Sequence, residues 1–76
     1  MFVFSIALKY FQSGCKIQHK NWSKDYYIYI KGEEIIDSMG NLFYPNVNEY
    51  ISANKIILDA AGVVWDVYDD DIDLHL

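Results

Sequence analysis

The sequence predicts an α+β fold: a small antiparallel sheet with an N-terminal helix and a short C-terminal helix before the last strand. Three observations carry this. Phe4, Ala7, Leu8 and Phe11 recur at the spacing of one helical face. Tyr26-Tyr27-Ile28-Tyr29-Ile30 is a continuous aromatic and β-branched run. A second stretch with helical character, Ser52 to Ala61, is followed by the strand-like Val63-Val64-Trp65-Asp66-Val67-Tyr68.

Taken in order, Gly14 is the expected stop of the first helix, because glycine accepts the left-handed backbone of a helix end. Ile17, His19 and Asn21 alternate with polar neighbours, which predicts a strand from about Cys15 to Trp22. Asn21-Trp22-Ser23-Lys24-Asp25 reads as a turn. In the strand 26–30 the alternation sets Tyr27 and Tyr29 on one face, Ile28 and Ile30 on the other. Lys31-Gly32-Glu33 turns into a shorter strand around Glu34 to Ser38, and Met39-Gly40-Asn41 turns into Leu42 to Tyr44, ended by Pro45. Ser52 is the expected N-cap of the second helix, with Ile56, Ile57, Ala60 and Ala61 as its apolar face and Gly62 as its stop. The tail 69–76 alternates acidic and apolar residues and reads as a last edge strand or a frayed end.

With 76 residues the chain forms one domain spanning 1–76, burying about 60% of its unfolded surface. That permits one core and leaves no room for an enclosed catalytic cavity. Hydrophobic residues at 53% and charged ones at 22% exclude disorder. A lone Cys15 excludes an intramolecular disulfide framework, which favours a reducing, cytoplasmic setting. Met1 to Leu8 is apolar except for Ser5, but no cations precede it and Lys9 interrupts it, so export is not expected. No run approaches the 18 apolar residues that would cross a bilayer.

The net charge of −5 is unevenly spread: residues 1–31 hold five lysines and one acid, residues 32–76 one lysine and ten acids. There is no arginine. Duplex nucleic acid is not an expected partner, because counterion release needs several cations on one face. A small anionic ligand near the basic half fits better.

Nucleophilic catalysis requires a nucleophile, a base and an orienting group in mutual reach. Cys15 and His19 would lie on one side of a strand but about 13 Å apart, so a small core thiol and a surface imidazole is the simpler reading. One Cys and two distant His cannot form a standard zinc site, and the aspartates 66–73 lack the glycine and glutamate of a calcium loop. No metal and no cofactor are expected. The aromatic set is more informative, since aromatic faces stack on nucleobases and lysine supplies charge for phosphate. Trp22, flanked by Lys20 and Lys24, either caps the core or meets a ligand; Trp65, inside an apolar strand, has core packing as its default. The tyrosines of the 26–29 strand form a wet sheet face, a stacking platform or an oligomer interface.

With these residues laid out, Phe4-x-x-Ala7-Leu8-x-x-Phe11-x-x-Gly14-x-x-Ile17-x-x-x-x-Trp22 resembles the opening of the Thoeris anti-defence family of small phage proteins. Ser52 to Ala61 and Trp65-Asp66-Val67-Tyr68 are similar to that family's closing helix and strand. His19 stands where the family usually has arginine, Asn21 replaces the glycine before the tryptophan, and Gly62-Val63-Val64 replaces acidic residues before Trp65. The resemblance implies a non-enzymatic sponge in the host cytoplasm. It would be a homo-oligomer, often a tetramer, that hides a cyclic ADP-ribose isomer or cyclic dinucleotide from an immune effector. The expected ligand-binding residues are Trp22, Lys20, Lys24, Tyr27, Asn54 and Trp65. Two other readings stand beside it: an acidic inhibitor occupying the groove of a host nucleic-acid-binding defence complex, and a homo-oligomeric structural module.

Overall fold

The computed structural model describes residues 1–68, and the acidic tail 69–76 lies outside the described residues. The elements run α1 (Phe4–Gln12), β1 (Ile17–His19), β2 (Ile28–Lys31), β3 (Glu34–Asp37), β4 (Leu42–Tyr44), α2 (Val47–Ala60) and β5 (Trp65–Val67). The strands form one antiparallel sheet in the order β4-β3-β2-β1-β5. This is the expected α+β arrangement, with the second helix before the last strand.

Helix α1 buries Phe4, Ala7 and Phe11, the face that its spacing predicts. It ends in a Schellman turn: the Gly14 N–H donates to the Phe11 carbonyl and the Cys15 N–H to the Tyr10 carbonyl. Gly14 itself has φ 104°, a backbone region costly for any residue with a Cβ. The start of α1 has no side-chain cap of its own. Asp59 of α2 supplies one instead, its Oδ1 accepting the Ser5 N–H at 3.0 Å and the Ser5 hydroxyl at 2.7 Å. A carboxylate there satisfies a free helix N–H and opposes the positive end of the helix dipole.

The second helix differs from expectation. It begins at Asn46, whose Oδ1 accepts the Glu49 N–H at 3.0 Å, and not at Ser52. Pro45 breaks the preceding strand and thereby brings the cap forward. The inward face is then set by Val47, Tyr50, Ile51, Asn54 and Leu58, at i, i+3, i+4, i+7 and i+11. Ile56 and Ile57, expected on that face, are 85% and 69% exposed, and Ala60 and Ala61 are exposed too. The strands are shorter than the sequence suggests. β1 starts at Ile17, leaving Cys15 before it and Trp22 in the turn beyond; β2 starts at Ile28.

Both helices cover one face of the sheet, where Phe4, Ala7, Phe11, Ile17, Ile28, Ile35, Tyr50, Val64 and Trp65 form the core. A bulge between Ile35 and Ile36 in the β3–β4 pairing places an extra residue in β4. It lets both Phe43 and Tyr44 reach Tyr50, at ring-centre distances of 5.7 and 5.1 Å. By strand alternation the opposite face carries Gln18, Tyr29, Ile36 and Asp66, with Lys16, Tyr27 and Tyr68 continuing its rows. Among the described residues, no helix is long and apolar enough to cross a membrane.

Candidate functional site

The two faces of the sheet separate the expected binding residues. On the helix side, Trp22 is half-buried and ringed by aromatic groups: Tyr26 at 5.1 Å, Trp65 at 5.4 Å, Phe43 at 6.0 Å and His19 at 6.0 Å between ring centres. The contacts to Tyr26 and Trp65 are edge-to-face, the arrangement aromatic pairs favour in cores. Trp22 thus closes the end of the core instead of standing free in a polar turn. Trp65 is 1% exposed, packed edge-on to Phe4 and His19 as well, and offers no open ring face. Its indole N–H is buried and has no hydrogen-bond acceptor among the described residues; the rings around it provide only π density, a weak substitute. Asn54 donates its side-chain amide to the Tyr50 carbonyl one turn back and belongs to α2's inner face. Lys20 is exposed, and its backbone N–H extends the β1–β5 pairing by donating to Val64.

On the opposite face lies a different cluster. The Tyr27 ring is 4.5 Å from Tyr68 and 6.3 Å from Tyr29. The Lys16 ammonium sits 5.2 Å from the Tyr27 ring centre, a cation–π contact. Of the expected binding residues, Tyr27 is on this face and Lys24 is in the adjoining turn. Lys16 is outside the expected set because Lys20 and Lys24 stand nearer Trp22 in the sequence. The alternation of Lys16 and Gln18 with Ile17 and His19 does put it on the face of Tyr27 and Tyr29.

Beside this face, where the 20–27 turn meets the 38–41 turn, a cavity of about 390 Å³ is lined by Ser23, Asp25, Tyr26, Tyr27, Ser38 and Met39. Its walls are held by short-range bonds. Gln18 donates its side-chain amide to the Lys24 and Tyr26 carbonyls, fixing the first turn to β1. The Ser38 N–H donates to the Tyr27 carbonyl, tying the two turns together. Asp37, only 7% exposed, organises the second turn. Its Oδ1 accepts the Met39 and Asn41 N–H groups, both at 2.9 Å, and its Oδ2 accepts the Tyr26 hydroxyl at 3.1 Å.

The Asn41 N–H, chiefly, holds the Asp37 carboxyl below its ordinary range; the Met39 N–H and Tyr26 hydroxyl add to this, and burial opposes it. Tyr26 moves the other way: burial first, then its bond to Asp37 and that carboxylate's charge, push its hydroxyl up. Asp37-Ser38-Met39-Gly40-Asn41 is an aspartate-led turn, a pattern legible in sequence. Its link to Tyr26 is not, because it joins residues on two strands.

Cys15 and His19 do not meet. The Cys15 thiol lies 3.9 Å from the Ser13 hydroxyl, and His19 Nδ1 accepts the Asn21 N–H at 3.1 Å. Among the described residues, no three His, Cys, Asp or Glu side chains gather as metal ligands. No family model matches the chain, and neither the curated proteins nor the solved structures contain a significant match to it.

Proposed function

We propose that this protein is a non-catalytic immune-evasion protein of phage type, working in the host cytoplasm. It binds a cyclic ADP-ribose isomer or cyclic dinucleotide and removes it from solution without cleaving it. The observation that carries this reading is the tyrosine-rich sheet face opposite the two helices, with Lys16 against Tyr27, beside a cavity lined by Tyr26 and Tyr27. Stacking on a base is worth roughly 1–3 kcal/mol per aromatic ring, and lysine supplies the charge a phosphate needs. The resemblance in the N-terminal helix and the Trp22 turn supports the same ligand class, although the cluster is centred on Tyr27 and not on Trp22.

A cavity of this size is at the lower end of the range of small-molecule sites, which leaves a large ligand partly uncovered. A second copy of the chain, packed on the same sheet face, would cover the remainder. Tyr29, Ile36 and the 54%-exposed Leu42 give that face the apolar character of an interface core. Sequestration is then mass action: a binder more abundant than the signal lowers free signal with no turnover.

The test is whether the protein purified from cells exposed to the signal retains a molecule absorbing at 260 nm. Heat release should return that molecule intact by chromatography, and light scattering should give a mass that is a multiple of 9 kDa. A monomer that carries no such molecule and binds no cyclic nucleotide by calorimetry would overturn the reading. Recovery of a cleaved product would overturn its non-catalytic part.

A further inference from the structure

We propose that the outer side of α2 is a self-pairing surface, on which a second copy of the chain docks its own α2 antiparallel across a two-fold axis. Ala53, Ile56, Ile57 and Ala60 recur at i, i+3, i+4 and i+7, which gathers them in one stripe about 100° wide. All four are exposed. This stripe is separate from the inward face of Val47, Tyr50, Ile51 and Leu58, so α2 is apolar on two sides. The solvent side of a monomer's helix is ordinarily polar, and isoleucine is a poorer helix former than the lysine or glutamate that usually stands there. The nearby charges avoid the stripe. Lys55 and Asp59 fall on another side of the helix, and Asp59 is held toward α1 by its two bonds from Ser5.

The order of the residues points to the occupant. In a two-fold contact the same patch serves both subunits, so residue i meets j and j meets i. An antiparallel helix pair therefore needs a stripe that reads alike in both directions. Ala-x-x-Ile-Ile-x-x-Ala does so, placing Ile56 on the partner's Ile57 and Ala53 on the partner's Ala60. Four isoleucines form the centre, and an alanine pair at either end lets the axes approach to about 8 Å, the near end of helix packing distances. The antiparallel alignment also sets each end of one helix dipole beside the opposite end of the other. Glu49, one turn before Ala53, is on the same side of the helix. Its two-fold counterpart is Val64, past the end of the partner's α2, so no carboxylate is buried. A helix pair of this length buries less than the roughly 800 Å² per partner of a standard interface. The expected dissociation constant is accordingly about 0.1–1 mM, and the contact is empty at the roughly micromolar concentrations of a melting experiment. It uses neither the tyrosine row nor the cavity, and it does not rest on the ligand reading above.

The experiment follows the mass of the full-length protein by sedimentation equilibrium from about 10 µM to about 2 mM, a range that brackets this constant. The wild type should gain mass across the range. Ile56→Lys and Ile57→Lys each set an ammonium in the apolar centre and should weaken association at least about tenfold, which removes the gain. Leu42→Lys, on the sheet face, should keep it. The mass at low concentration thus reports the sheet-face contact and the gain reports α2, so the two fail separately. Contact at α2 is read by oxidation at high concentration: Ile56→Cys in a Cys15→Ser background should form a disulfide-linked dimer, and Lys55→Cys in the same background should not. A constant mass in the wild type overturns the proposal and returns the stripe to some other chain. A gain that survives both lysine variants, or cross-linking as efficient through Lys55→Cys as through Ile56→Cys, overturns it as well.

Discussion

Replacing Trp22 by alanine separates a packing role from a binding role. The ring is half-buried, with Tyr26, Phe43, His19 and Trp65 around it at 5.1–6.0 Å. Taking roughly 120 Å² as the apolar area lost beyond alanine, at about 25 cal/mol per Å², the transfer cost is about 3 kcal/mol. A chain of this length has a total stability of about 4–11 kcal/mol, so the loss is a large fraction of it. At about 4–8 °C per kcal/mol for so small a domain, the melting midpoint should fall by roughly 12–24 °C. Trp22→Phe, which keeps a ring against Tyr26 and Trp65, should lose less than half of that. Circular dichroism melts read the stability, and calorimetric titration with a cyclic dinucleotide well below the melting range reads the binding. A melt within about 3 °C of wild type, together with binding weakened about 5- to 150-fold, would refute the packing argument. That pair of results would return Trp22 to the ligand, where the family resemblance puts it.

Asp59→Ala removes the carboxylate that caps α1 from another element and should cost about 1 kcal/mol, read as a lower melting midpoint, with Asp59→Asn milder. Gly14→Ala meets open space around its Cβ but must hold φ 104°, so about 1–2 kcal/mol should be lost through the backbone alone. The depressed Asp37 carboxyl stabilises the fold above the ordinary carboxylate range, and this is lost as pH falls through its folded value. The raised Tyr26 hydroxyl does the reverse, its contribution complete below about pH 10 and lost above it. Melts from pH 6 downward should therefore show an acid limb that Asp37→Asn flattens. Ile56→Lys should leave the melt nearly unchanged, within about 0.5 kcal/mol, because the side chain is on the outer side of α2.

The parts of the fold legible in sequence are those where one period dominates. The α1 face repeats cleanly and ends at a glycine, and it buries as the spacing requires. Helix α2 misleads because it carries two apolar groups of similar weight. Ile56-Ile57 suggests one face, but Tyr50 and Leu58, together with the cap at Asn46, rotate the helix so that another is buried. The decisive contacts are the ring pairs of Tyr50 with Phe43 and Tyr44, which exist only because β4 bulges. A bulge shifts one residue of register and leaves no periodic trace. The Asp59 cap is hidden for a related reason: it joins positions 54 residues apart.

The candidate site shows the same division. Alternation in 26–30 assigns Tyr27 and Tyr29 to one face, and their rings do lie together. Local sequence cannot say which face the helices cover, since tyrosine suits a core, an interface or a wet surface equally well. Burial of Ile17, Ile28 and Ile35 decides it, and the tyrosine row becomes the side opposite the helices. Trp22 shows the opposite trap, because a tryptophan between lysines looks like a ligand contact when the chain is read locally. The return of β5 beside β1 brings Trp65 under it, and β4 adds Phe43, so a residue that is polar in its sequence context becomes aromatic in its spatial one. The lysine that meets an aromatic ring is thus Lys16, on Tyr27 of the other sheet face, and not Lys20 beside Trp22.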